Sequence, residues 1–291
     1  MKSHWAILAA SALFWLPAGM AAATAQAQAQ PKANTPLPEI AQLMKEVREH
    51  QKQLDKVREN YTFTAAVVVE DIDSKGTVTK TESHESEVFF VHGHQIARTV
   101  KKDGKPLSDE EQKKETERVT KAVEKAEKPE PDEPKPNQNV SLLHILEVAD
   151  ARNPRREIFR GRSTLVYDFV GNRALKAHGL SEDLSKKLQG TIWIDEADRQ
   201  VARLEAAFND NFHLAGGLAV NVQKGSRFCF DQAPVNGEIW FPTGAEITLQ
   251  ARILLLKGIH EHILERNSGY QRFHVEAQQG KEAKVVVEGK P

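Results

Sequence analysis

A single cysteine, Cys229, stands among 291 residues. It cannot close an internal disulfide, so packing must hold the fold. Cys229 lies between Phe228 and Phe230 in a β-like run, where it reads as a half-buried small hydrophobe rather than a nucleophile, since no Cys-His motif surrounds it. Net charge is also nearly absent, at −1, which removes bulk attraction for nucleic acid. The chain carries no G-x-S-x-G, no H-E-x-x-H, no Walker loop and no dinucleotide fingerprint. No enzyme and no cofactor are therefore expected. No fixed-period repeat is visible, which argues against a propeller or solenoid.

What is present begins at the N-terminus. Lys2 is the one charge in the first thirty residues, residues 5–20 are apolar, and Ala23-Thr24-Ala25, Ala25-Gln26-Ala27 and Ala27-Gln28-Ala29 offer three small-residue cleavage sites. That is the layout of a secretory signal peptide over 1–29. The apolar core is short for a membrane span, which needs ~20 residues, and holds Pro17. Once cleaved, the chain is expected to be soluble and periplasmic, with no integral span. No cysteine stands just after the cleavage sites, so a bacterial lipoprotein anchor is not expected.

A composition 40% hydrophobic and 28% charged allows a folded core. A helix is expected over 38–59, with Ile40, Leu43, Met44, Val47, Leu54 and Val57 in one apolar stripe. The period then changes to two. Strands are expected at 61–72, 77–91 and 96–102, with turns at 73–76, 92–94 and 103–104. Residues 108–128 read as a second helix with a Ser108/Glu111 capping box, in which thirteen of twenty-one residues are charged. Residues 129–139 are a proline-rich linker. A short helix is expected at 140–149, strands at 157–161 and 163–170, and another short helix at 181–188. A hairpin of 190–194 and 200–208 follows, then strands at 219–231, 238–241, 245–256, 259–266 and 270–276. The tail, 278–291, is left unassigned. One domain, 30–277, with 108–139 inserted at its surface, accounts for this order. About eleven strands joined by short links give a mainly antiparallel sheet.

The helix ending Leu54-Asp55-Lys56-Val57-Arg58-Glu59-Asn60-Tyr61 runs into a strand pair. Far downstream come Gly190-Thr191-Ile192-Trp193-Ile194-Asp195 and Val201-Ala202-Arg203-Leu204-Glu205. These elements resemble the bacterial outer-membrane lipoprotein-sorting proteins, the LolA/LolB-like superfamily, over roughly 39–276. Its exported members similarly carry a Lys/Glu-rich helix after a Gly-Lys-Pro-Leu turn, here 104–107. The resemblance implies an α+β fold, an unclosed and strongly curved antiparallel β half-barrel with helices covering its mouth. It also implies an apolar cavity for a lipid or lipoprotein acyl chain. The insertion 108–139 departs from the carrier pattern, and the carrier's functional arginine does not fall on any one residue.

The remaining constellations are weak. His92/His94 and His260/His262 could each share a metal, but the sequence names no third ligand, and no metal is expected. Asp195, Glu196 and Asp198 crowd a hairpin turn, where turn chemistry explains them. Arg152, Arg155, Arg156, Arg160 and Arg162 could meet lipid phosphates, or could be strand-edge charges that resist pairing. By elimination, the cavity candidates are Val67, Val69, Phe89, Val91, Ile192, Ile194, Leu204, Phe230, Trp240, Ile253 and Leu255, which could equally fill a solid core. Two binding roles follow: a carrier of an acyl chain, or a sensor or scaffold for an envelope protein. In the second role the helix 108–128 would be the contact arm, as the half-barrel of the sigma-factor regulator RseB is used.

Overall fold

The computed structural model describes residues 36–92, 94–127, 145, 148–176, 180–214, 220–235, 237, 239–253, 257–276 and 284–287. The leader read as a signal peptide, the proline-rich linker and most of the helix expected at 140–149 lie outside these residues. Helix α1 (Ile40–Arg58) starts where the Glu39 carboxylate accepts from the amides of Ala41 and Gln42, at 3.0 and 2.8 Å. These are two of the donors that every helix start leaves free. Leu43, Met44, Val47 and Leu54 are buried, as their spacing predicts. Val57 is not. It is 42% exposed, because the last turn of α1 overhangs a groove rather than the sheet.

Strands β1 (Tyr61–Ile72), β2 (Val78–Val91) and β3 (His94–Lys102) form the expected meander, and β4 (Lys105–Pro106) adds two residues. Asp73 fixes the first turn by accepting from the amides of Lys75 and Thr77, and Gly76 supplies the positive φ, +83°. Helix α2 (Asp109–Ala126) opens with the predicted capping box, Ser108 and Glu111 bonding each other's amides. Then follow β5 (Ala149–Phe159), β6 (Arg162–Gly171), α3 (Leu180–Ser185), β7 (Leu188–Asp195) and β8 (Val201–Phe208). The chain ends in β9 (Phe212–Leu214), β10 (Val220–Val222), β11 (Arg227–Val235), β12 (Ile239–Ile253), β13 (Lys257–Glu276) and β14 (Lys284–Val287).

Several boundaries differ from the sequence reading. The strand expected at 219–231 is two, β10 and β11, split by a turn in which Gly225 has φ +90°. The strands expected at 238–241 and 245–256 are one, β12. The Pro242-Thr243-Gly244 segment is absorbed by a register shift opposite Asp231/Gln232 instead of forming a turn. Likewise 259–266 and 270–276 join in β13. β5 begins earlier than expected, passing through a bulge at Asn153-Pro154 where Asn153 has φ +52°. Lys284–Val287, in the unassigned tail, pairs with the end of β13.

Among the described residues all fourteen strands belong to one antiparallel sheet, in the order β4-β3-β2-β1-β13-β12-β11-β8-β7-β6-β5, with β9, β10 and β14 off this path. β4 and β5 end it without meeting, so the half-barrel is open. Helix α1 lies on one face. Its Leu43, Met44 and Val47 enter a core with Leu165, Tyr167, Leu188, Ile192, Ile194 and Leu204, while Leu54 joins Tyr61, Trp240 and Phe241 further along. α2 does not cover a mouth; it lies along β3.

Candidate functional site

Residues directly opposed across antiparallel strands share a face. Two rows can therefore be followed through the register from β1 to β6. One is Val69, Ile263, Ile247, Phe228, Ala206, Gly190 and Phe169; the other is Val67, Glu265, Ala245, Phe230, Leu204, Ile192 and Tyr167. Both rows belong to the face that α1 covers. Gly190 must be glycine, because a Cβ there would overlap the Glu205 carbonyl of β8. Under α1 the rows are sealed, with Leu204, Ile192 and Tyr167 buried in the core. From that core they continue through Phe228 and Phe230, half-buried against it, to the half-buried Val67, Val69, Ile247 and Ile263. An apolar band thus extends past its helical cover, with Glu265 as the one charge in the two rows.

The structure places nine of the eleven cavity candidates in four situations. Val67, Val69 and Phe230 lie in the band. Ile192, Ile194 and Leu204 share its face but are packed solid against α1. Phe89 and Val91 pair with Ile96 and His94, and the register sends them to the opposite face from Val88 and Phe63. Trp240 lines a separate groove of about 580 Å³ with Leu54, Val57, Tyr61, Pro234, Ile239 and Arg272, at the end of α1. Arg162 stacks over its ring, and its indole N–H donates to Asp198 at 3.0 Å. Ile253 ends β12, and Leu255 lies outside the described residues. Phe228, Ile247 and Ile263 were missed as band residues. Their signal was alternation in β11, β12 and β13, which local reading could not align with β1.

The opposite face holds a polar groove of about 620 Å³, lined by Arg152, Asp168, Thr191, Glu205, Arg227, Cys229, Glu246 and Thr248 among others. No sequence motif marks it. Cys229 sits there between Glu205 and Glu246, and burial pushes its thiol up to about 11. Iodoacetamide at mildly alkaline pH should label the native protein much more slowly than the urea-unfolded chain. Equal rates would contradict this placement.

The other four arginines of the basic cluster are not free. Arg155 pairs with Glu157 and Asp168, Arg156 with Glu196, Arg160 with Asp231, and Arg162 with Asp195 and Asp198. Asp195, 1% exposed, also accepts from the amides of Ala197 and Asp198, so it locks the β7–β8 hairpin. Among the described residues no three His, Cys, Asp or Glu side chains form a metal-holding group.

Behind the band, His262 joins three strands. Its Nδ1 lies 3.0 Å from Glu70 of β1 and its Nε2 3.0 Å from Glu246 of β12. Only the imidazolium can donate to both, and these two hydrogen bonds, Glu70 first, raise the His262 pKa above its ordinary 6.5. The raised value means this clamp stabilises fully below pH 6.5 and is lost as pH climbs through the folded pKa. His262→Gln should therefore lower the melting temperature by a few degrees in mild acid and hardly at all in alkali. A difference that does not change with pH would show that no imidazolium is held there.

The chain is similar to several solved structures. One is an outer membrane lipoprotein-sorting protein domain from Vibrio parahaemolyticus, with TM-score 0.36 and 10% identity over 82% of this chain and 95% of that one. A LolA superfamily protein from Nitrosomonas europaea gives 0.34 and 10%, over 77% and 92%. A DUF1329 family protein from Desulfovibrio piger gives 0.32 and 11%, over 81% and 95%. No protein-family profile and no curated protein sequence matches the chain. No described helix is long and apolar enough to cross a membrane.

Proposed function

We propose that this is an exported, non-enzymatic binding protein that shields a lipid or lipoprotein acyl chain on the apolar band beyond α1. The observation that carries this reading is the continuation of both cross-strand rows from the α1 core, through Phe228 and Phe230, to half-buried Val67, Val69, Ile247 and Ile263. A chain laid along such a band gains about 0.8 kcal/mol for each methylene removed from water. A band open to one side can release its cargo, which a closed pocket does less readily. The chemistry of the described site supports binding over catalysis: apart from Glu265 its walls are aliphatic and aromatic, and the buried carboxylate of the β7–β8 hairpin, Asp195, is occupied by Arg162 and two amides.

The test is native mass spectrometry of protein released from cells without detergent, together with titration of a fluorescent fatty acid. Bound lipid and saturable fatty-acid binding are expected. Val69→Asp, at a half-buried position in the band, should weaken fatty-acid binding about tenfold while leaving the fold intact. A protein that is always empty and ignores the fatty acid overturns the reading. N-terminal sequencing of the mature protein should begin after Ala25, Ala27 or Ala29; an uncleaved chain would overturn export by a signal peptide.

A further inference from the structure

β4 pairs with β3 only at Lys101 and Lys102, so residues 94–100 have no strand on that side among those described. An edge of this kind shows free backbone groups to any passing chain. Here α2 answers two of them with side chains. The Thr99 amide donates to Glu115 Oε1 at 2.6 Å, and the Arg118 guanidinium donates to the Ala97 carbonyl. These groups flank Arg98, and a strand laid on the edge would meet the same two with its own carbonyl and amide. Glu115 and Arg118 also pair with each other at 2.7 Å. The apolar hold of α2 is small, since Ala126 is its one buried residue.

The chemistry of β3 is basic and already accepts an acidic strand on its other side. There β2 sets Glu85 against Lys101 at 3.0 Å and Glu87 against Arg98. Lys102 is occupied by Glu111 at the start of α2, at 3.2 Å, and is freed when that helix leaves. Among the described residues the far edge of the sheet is interrupted. β5 carries the Asn153-Pro154 bulge, and proline has no amide to donate.

We propose that the β3 edge is a docking site for an extended acidic segment of a partner protein, which adds to the sheet as a strand in place of α2. The inserted helix is then a removable cap, not the contact arm its charge suggests from sequence. This inference does not rest on the acyl-chain reading, and its test uses no lipid.

The probe is a synthetic peptide with the sequence of residues 79–89, the acidic strand that β3 already pairs. Full-length Glu115→Ala/Arg118→Ala should bind it about tenfold more tightly than the parent, because two competing hydrogen bonds are gone. Binding should slow hydrogen exchange at the Thr99 amide. Methylating alternate backbone amides of the peptide, or replacing its glutamates by lysine, should abolish binding. Equal binding to parent and variant, or undiminished binding of the methylated peptide, would overturn the proposal. So would self-association of the variant without peptide, which would assign the edge to a second copy. If the double variant melts early, Arg118→Ala alone carries the same comparison, since it removes the donor to Ala97, with its pair to Glu115, and leaves the Glu115 acceptor beside the Thr99 amide.

Discussion

Val47→Asp should destabilise the fold by about 4 kcal/mol, because Val47 is 0% exposed in the core and a carboxylate there would lose its water among apolar side chains. For a domain of this size that corresponds to a fall of roughly 8–16 °C in melting temperature. Val57→Asp on the same helix is the control. At 42% exposure it should change stability by less than about 0.5 kcal/mol. Thermal denaturation of the two variants separates a packed helix from a loose lid. If both melt with the parent, α1 does not sit on β6–β8. If both fail, the groove at the end of α1 is closed in solution.

Asp195→Ala is the second large effect, at about 3 kcal/mol. The carboxylate is buried and accepts from four donors: Arg162 Nε at 2.5 Å, a second Arg162 nitrogen at 2.9 Å, and the amides of Ala197 and Asp198 at 3.1 and 2.8 Å. Removing it strands two hairpin amides and a guanidinium that still stacks on Trp240. The loss is held below the extreme because Arg162 is 40% exposed and water can reach it, and Asp198 still pairs with it. Asp195→Asn keeps one acceptor oxygen and should cost roughly half as much. Urea denaturation measures both. A loss under about 1 kcal/mol for the alanine variant would show that the hairpin is held by its strands alone.

Much of this architecture is legible in the sequence because the signals are local. β1 runs over the residues its alternation predicts, and the Ser108/Glu111 cap and the Asp73 turn fall where their side chains demand. The misreadings share a cause. Pro242-Thr243-Gly244 and Asn153-Pro154 look like breaks, but each is a bulge taken up by a neighbouring strand that is remote in sequence. In Val88-Phe89-Phe90-Val91 every residue is apolar, so alternation cannot say which pair faces Phe63; the pairing of Val88 with Phe63 decides it. The band was half visible. Val67, Val69 and Phe230 follow from their own strands, but the row joining Val69 to Ile263, Ile247 and Phe228 exists only once β13 and β12 are placed. The sealing of Ile192, Ile194 and Leu204 depends on where α1 lands, which its own stripe does not state.

The position of β1 has a bearing on how the chain reaches this state. One neighbour, β2, comes next in sequence; the other, β13, comes near the end, with Tyr61 opposite Arg272. The first meander can form as soon as it is made, but half its hydrogen bonds must wait for the final strands. Closing so long a loop is slow, and in the interval β1 presents an open template for mispairing. For a chain threaded through a membrane N-terminus first, the earliest segment to arrive would be the last to be completed. Such a chain would need its leading strands kept apart from other polypeptides until translocation ends.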